Sequence, residues 1–291
     1  MDQKALRKSM GFSQIAVIGA GSWGTALAKL LSDQGKQVFL WAHRPEHVEA
    51  LRRDRENKAY LPGYPLSPNL TVTSDLEEAV AGRPVVVMVV PSHVYREVFS
   101  ALGPYLLEDA YLVSASKGIE NETLFTMTQL MDEELPRGTG HRLGVLSGPS
   151  FAEEVAAGLP TAVTVAAQTR EEAASIQEVF HTERFRVYAS TDVIGLEIGG
   201  ALKNIVAIAA GIADGLGYGT NSRAALITRG LAEITRLGVK MGAKPLTFSG
   251  LGGLGDLVLT CTGDLSRNRQ VGLKLGLGMT LKEILAEMKM V

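Results

Sequence analysis

Along this 291-residue chain, short apolar runs of strand length alternate with segments of helical spacing through the first two thirds. Ile15-Ala-Val-Ile18 is the first such run, Gln37–Trp41 the second, and Pro84–Val90 is a continuous apolar stretch ending at Pro91, the look of a strand buried on both faces. Tyr111–Ser114, Arg142–Leu146 and Thr161–Val165 repeat the pattern, while Thr25–Asp33 and Asp75–Ala81 read as helices. Such alternation predicts a parallel sheet with crossover helices, with the loops after its strands gathered on one edge. Near Asp192 the texture changes: strand runs stop, and residues 193–242 become rich in Ala, Gly, Ile and Leu at helical spacing. The expected fold is α/β in two domains, with residues 1–192 a mostly parallel sheet domain opened by a loose tail over 1–12, and residues 193–291 all-α. Gly195, Gly199, Gly200 and Gly211 would each cost a helix about 1 kcal/mol relative to Ala, so close helix packing is the expected reason for them.

Composition narrows the partners. Lys+Arg number 29 against 31 Asp+Glu, a net charge of −2, which gives no global field suited to nucleic acid or an anionic membrane. The single cysteine, Cys261, cannot form an internal disulfide and reads as a small buried residue in a reducing compartment. Residues 1–12 lack the apolar core of a signal peptide. The most apolar runs, Val85–Val90 and Ile205–Ala210, fall short of the roughly 20 residues that a membrane helix needs. The expectation is a cytoplasmic protein with no membrane insertion, no nucleic-acid partner and no metal.

The chemistry begins at Gly19-Ala-Gly-Ser-Trp-Gly24, placed after a strand and before a helix. In a Rossmann-type turn of this spelling, Gly19 bends the chain, Gly21 admits a diphosphate and Gly24 packs the helix on the strand. The second strand ends Trp41-Ala-His43-Arg44 with no acid before Glu46, which favours the 2′-phosphate of NADPH at Arg44 and leaves NADH open. Lys117 lies on a loop after a strand. Lys203 lies in a helical run that is otherwise apolar or small, where burial and a second cation such as Lys117 would both lower its pKa towards that of a proton donor and acceptor. The glycine-rich Gly250–Gly255 leads to one carboxylate, Asp256, and lacks the Lys-Ser/Thr ending of a phosphate loop. Ser266-Arg-Asn-Arg269 suits a phosphate better, through guanidinium forks and a neutral amide.

Taken together, Gly19–Ala26, Asn57–Gly63, Ser116-Lys-Gly118, Ser147–Ala152, Leu202-Lys-Asn204, Gly255-Asp-Leu257 and Ser266–Arg269 resemble bacterial NAD(P)-dependent glycerol-3-phosphate dehydrogenase. The resemblance implies reduction of dihydroxyacetone phosphate to sn-glycerol 3-phosphate for phospholipid synthesis, by a cytoplasmic homodimer using NADPH or NADH. It implies Lys203 as the proton-transfer group, Lys117 at the carbonyl oxygen and Asp256 orienting Lys203. Arg267 and Asn268 would bind the phosphate, with Gly148, Ser150, Thr260 and Ser266 completing the pocket. Ser22, Trp23, His43, Arg44, Tyr60, Pro91, Lys117, Ala152, Arg267 and Val291 match cofactor-contacting positions. The family usually continues past Val291 with a segment holding a cofactor-binding Glu, so a helical domain shortened at its C-terminus is expected. Two alternatives stay open: a related two-domain reductase of another small acid, for which the Arg267–Asn268 pair has no task, and a nucleotide-binding sensor, which needs neither Lys203 nor Asp256.

Overall fold

The structure, a computed structural model, describes residues 12–288, so Val291 and residues 1–11 of the expected tail lie outside the described residues. The strands are β1 (Gln14–Ile18), β2 (Gln37–Trp41), β3 (Glu56–Asn57), β4 (Leu61–Pro65), β5 (Leu70–Thr73), β6 (Val85–Met88), β7 (Tyr111–Ser114), β8 (Arg142–Ser147), β9 (Thr161–Ala167) and β10 (Phe185–Ser190). Eight of them form one sheet in the order β10-β9-β8-β7-β6-β1-β2-β5, and β3 pairs with β4 separately. Along β1, Ile15 and Val17 enter the core on one face while Ala16 and Ile18 enter the core on the other, so the strand is apolar at every position after Gln14. The first face is covered by α1 (Ser22–Asp33), α2 (Pro45–Asp54) and, further on, α7 (Arg170–Phe180), and the second by α3 (Leu76–Val80), α4 (Tyr95–Leu102) and α5 (Met127–Glu134). Ile18, Met88, Ser114 and Val145 stand in register across β1, β6, β7 and β8, which brings the loops after those strands to one edge.

The uniform parallel pattern breaks at β9, which runs antiparallel to β8. The reason is local: the connection holds only α6 (Ala152–Ala156), too short for the dozen or more residues of a crossover that would return the chain in parallel. β5 and β10 extend the sheet at its two ends beyond the runs that the hydrophobic pattern marks. At the β10 edge, Phe185 and Val187 point inward while Arg186 and Tyr188 are exposed.

The helical domain consists of α8 (Val193–Gly215), α9 (Gly219–Lys240), α10 (Asp256–Thr262), α11 (Arg267–Gly276) and α12 (Leu281–Glu287), with a five-residue π-helical turn over Leu251–Gly255 before α10. Asp192 caps α8 by accepting the Gly195 N–H at 3.0 Å. By length and composition α8 is apolar enough to cross a bilayer, contrary to what its short apolar runs suggest, but half of its apolar window is buried inside the protein. Glycines explain its packing. A Cβ on Gly211 would lie 2.1 Å from the Arg269 carbonyl oxygen of α11, and one on Gly199 would lie 2.3 Å from the Gly252 carbonyl oxygen. Cβ atoms on Gly195 and Gly200 would meet the Asp192 carboxylate at 2.3 Å and the Ser147 hydroxyl at 2.9 Å. Leu196 and Val193 of α8 pack on Val145 and Ala166 of the sheet, a small apolar contact that docks the helix there. Cys261 is buried in the helical core, where burial pushes its thiol up to about 11.

Candidate active site

β1 lies between β2 and β6, where the strand order reverses, and its exit forms the crevice in which such sheets take ligands. Gly19 has φ +119°, and a Cβ there would lie 2.6 Å from the Val89 carbonyl oxygen; a Cβ on Gly24 would lie 1.9 Å from the Gly19 carbonyl oxygen. Only glycines let the turn close this tightly. A Cβ on Gly21, by contrast, meets nothing within 4 Å, and α1 starts there with no side-chain cap over its first N–H groups. Open space before uncapped amides at a helix N-terminus fits the pyrophosphate of a dinucleotide.

A second segment braces this turn. Buried Asn57 donates to the Ala20 carbonyl (2.9 Å) and the Thr25 hydroxyl (2.7 Å), and Ser22 Oγ donates to the Tyr60 carbonyl (2.6 Å). Arg44, exposed at the start of α2, donates from Nη2 to Tyr60 Oη (2.8 Å), and exposed His43 stands beside Trp41. Trp23 and Ala152 pack partly buried against the core beneath the turn. Asn57 is a site residue that residue type alone did not single out, because its role depends on bonds to a turn more than thirty residues earlier.

A cluster of charged side chains sits further along the same edge. After β7, Ser116 Oγ donates to the Val90 carbonyl at 2.6 Å, and a Cβ on Gly118 would lie 2.6 Å from the Ser92 Cβ, so this loop is strapped to the Pro91 loop and presents Lys117. Lys117 Nζ donates to Asp256 Oδ2 at 2.7 Å. Lys203, on α8, donates to the other oxygen, Asp256 Oδ1, and to Thr260 Oγ1 at 2.8 Å. Thr260 gives its own proton to the Asp256 carbonyl (2.6 Å), so its hydroxyl can only accept from Lys203. Asp256 is 0% exposed and Lys203 6%. Burial first, and the Lys117 charge second, lower the Lys203 ammonium to about 7, against the pull of Asp256. Burial alone would raise Asp256, but the two ammonium groups outweigh it and hold the carboxyl below its usual range.

The remaining residues divide. The Pro149 ring lies 3.5 Å from where a Gly255 Cβ would be, and the Phe151 ring 2.6 Å from that of Gly263, so the loop carrying Gly148 and Ser150 spans both ends of α10. Ser150 Oγ donates to the Gly148 carbonyl (3.1 Å). Ser147, buried with no partner for its hydroxyl among the described residues, stands beside Gly200; the sequence marked its segment but not this atom. Buried Ser266 caps α11, accepting the Arg269 N–H. Arg269 is committed elsewhere, donating to Asp214 of α8 (2.8 and 3.0 Å) and to Asp264 (3.0 Å). Within Ser266–Arg269 the roles therefore divide: Arg269 anchors the helix, while the side chains of Arg267 and Asn268 carry no hydrogen bond or ion pair among the described residues. His43 and Arg44 follow β2, three strand spacings from β7, hence about 14 Å along the sheet edge from the strand end that leads to Lys117 at ~4.8 Å per spacing.

Residues 14–173 match the profile described as NAD-dependent glycerol-3-phosphate dehydrogenase N-terminus, and residues 192–291 match the corresponding C-terminus. The glycerol-3-phosphate dehydrogenase (NAD(P)+) of Citrifermentans bemidjiense is 59% identical over 278 residues, 96% of this chain and 83% of that protein. That of Syntrophobacter fumaroxidans is 57% identical over 277 residues, 95% and 82% of the two chains. In three dimensions the glycerol-3-phosphate dehydrogenase of Coxiella burnetii superposes with a TM-score of 0.91 at 43% identity, covering 96% of this chain and 85% of its own.

Proposed function

The chain belongs to the NAD-dependent glycerol-3-phosphate dehydrogenase family and is an NAD(P)-dependent oxidoreductase of that activity; on that premise we propose that Lys203, Lys117 and Asp256 carry out the proton chemistry between dihydroxyacetone phosphate and sn-glycerol 3-phosphate. The observation that supports this reading is one buried carboxylate shared by two lysines, one presented by the sheet and one by α8.

When bound, the reduced nicotinamide supplies a hydride to the C2 carbonyl carbon of the ketone. Everything else falls to the chain. The carbonyl oxygen gains negative charge and must gain a proton; Lys203, with an ammonium proton held at about 7, is matched to give it up near neutrality and to take it back in the reverse direction. Lys117 keeps donors beyond the one used on Asp256, and a charge fixed beside the reacting oxygen stabilises it as the charge develops. Asp256 holds both ammonium groups in place and offsets one of them.

Arg267 and Asn268 bind the phosphate in this reading, with Gly148, Ser150, Thr260 and Ser266 around it, because their unpaired side chains at the start of α11 offer a guanidinium fork and an amide. The glycine turn with Ser22, Trp23, Tyr60, Pro91 and Ala152 takes the dinucleotide, and Arg44 favours NADPH over NADH. We assign the sheet domain to residues 1–192 and the catalytic helices to residues 193–291. A cytoplasmic homodimer feeding phospholipid synthesis completes the reading; exposed Ile205, Leu246 and Leu237 on the helical side support self-association.

The test follows loss of reduced-nicotinamide absorbance with dihydroxyacetone phosphate, with unphosphorylated dihydroxyacetone, and with NADPH and NADH in turn. Oxidation with the phosphorylated ketone alone is expected, with a higher kcat/KM for NADPH. Lys203→Ala is expected to abolish turnover while cofactor binding persists; a rate near the parent's would remove Lys203 from proton transfer.

A further inference from the structure

The mechanism leaves one buried acid on the catalytic helix without a task. Glu197 lies on α8 six residues before Lys203 and is 6% exposed. Its Oε1 accepts the Thr128 N–H at 2.8 Å and its Oε2 the Thr128 hydroxyl at 2.6 Å, so it grips the first turn of α5 with both oxygens. A buried carboxylate that takes two donors from another element, at the positive end of a helix, makes a directional contact. The apolar contact of Leu196 and Val193 on the sheet is non-directional and does not by itself fix where α8 stops along its axis.

What α5 is attached to gives the contact its meaning. The segment between Lys117 and Thr128 folds back on itself: Ile119 bridges Thr126, and the Glu120 N–H donates to the Phe125 carbonyl at 2.9 Å. Its far side is clasped by Arg96 of α4, which donates to both Glu120 oxygens at 2.7 Å. The piece of chain that presents Lys117 is therefore the same short, braced piece that Glu197 holds. Lys117 and Lys203 are joined twice, once through Asp256 and once through Glu197 and Thr128.

We propose that Glu197 is a positioning residue for the reaction, fixing α8 against the Lys117 loop through Thr128 and thereby setting the separation of the two lysines on Asp256. Glu197 touches neither Lys203 nor Asp256 and acts through the backbone that carries them. Burial raises its carboxyl above the usual range against the lowering effect of the bonds from Thr128 and of the neighbouring Thr126 and Met127. The charged or titratable groups acting on Lys203 are Asp256 and Lys117, Cys261 lies near it, and Tyr95 is the titratable neighbour of Glu197. Loosening the link carries Lys117 away and lets water reach Lys203. Both changes remove influences that lower its pKa, so the pH limb of turnover moves to higher pH.

This inference rests on Lys203 as the proton-transfer group, and the experiment separates the two. Glu197→Ala, Glu197→Gln and Thr128→Val are compared with the parent in both reaction directions across neutral pH, with melting temperature and NADPH binding measured on each. Glu197→Ala is expected to lower kcat at least about tenfold, since a small displacement of a reacting group costs that much. Its limb should lie at higher pH and its KM for NADPH should be unchanged. Gln keeps the shape, accepting the Thr128 N–H and donating to its hydroxyl, and is expected to stay within about threefold of the parent. Thr128→Val removes one of the two bonds, is expected to show a smaller shift of the same sign, and carries the test if Glu197→Ala does not fold. Parental kcat and an unmoved limb in a folded Glu197→Ala, or in Thr128→Val in its place, overturn the proposal while leaving Lys203 in its role. Near-parental turnover by Lys203→Ala in the same assay overturns the premise instead.

Discussion

A lysine at position 203 is an ordinary residue with an ordinary pKa until α8, α10 and the Lys117 loop surround it. With the pKa brought to about 7, reduction, which needs the ammonium, is expected to slow as pH rises through neutrality, and oxidation, which needs the neutral amine, to quicken over the same interval. Opposite slopes in initial-rate pH profiles check the sign. Asp256 works against the depression, so Asp256→Asn should move the limb to lower pH. It also leaves two cations without their acid in a buried place, at a cost of about 3–5 kcal/mol measurable by denaturation. A stability equal to the parent's would show that the cluster relaxes into solvent. At this scale the sequence displayed the ingredients and concealed the contacts. Lys203 stood out as a charge in an apolar run, and Glu197 stood in the same run; nothing in residue type says that one meets Asp256 and the other the backbone of Thr128.

Between elements, the close approach of α8 and α11 is backbone to backbone, with the Arg269–Asp214 ion pair beside it. Gly211 of α8 faces the Arg269 carbonyl, and Gly272 of α11 faces the Ile208 carbonyl at 2.0 Å from where its Cβ would be. Gly211→Ala gains about 1 kcal/mol of helix propensity, but the neighbour is main chain and cannot swing away. The overpacking penalty of about 1–3 kcal/mol prevails, so a net loss of stability is expected. Because α11 begins with Arg267 and Asn268, the displaced helix should also raise KM for the phosphorylated ketone more than KM for NADPH. Equal changes in both would detach the phosphate site from α11. The glycines announced close packing in the sequence, and β1, β2, β6, β7 and β8 were legible from their apolar runs. The reversal of β9 was not, since strand direction depends on the length of the connection before it, and β5 and β10, as end strands of four and six residues, lack the continuous apolar signature of the centre.

For the whole molecule, the sheet order places the dinucleotide turn and the lysine cluster on one edge, while a net charge of −2 leaves the attraction of anionic ligands to local groups. On the proposed reading, NADPH binding is therefore a property of the folded edge. At a hundredfold excess over Kd it should stabilise the protein by about 2.7 kcal/mol, which corresponds to roughly 5–10 °C in melting temperature for a chain of this size. A shift under about 2 °C in a thermal scan would mean that the glycine turn does not hold the dinucleotide.

If Lys203 transfers the proton, as proposed, its burial also bears on when that proton is replaced. On the proposed reading, a lysine with only 6% of its surface exposed, covered by a bound substrate, is expected to exchange its proton with bulk water slowly during the chemical step. Each reduction would then leave a neutral amine beside one remaining cation, Lys117, and one acid, Asp256. Reloading waits until the product has gone and the cleft admits a water. On this account that one accessibility would favour an order of events in which the lysine is recharged after the product has left.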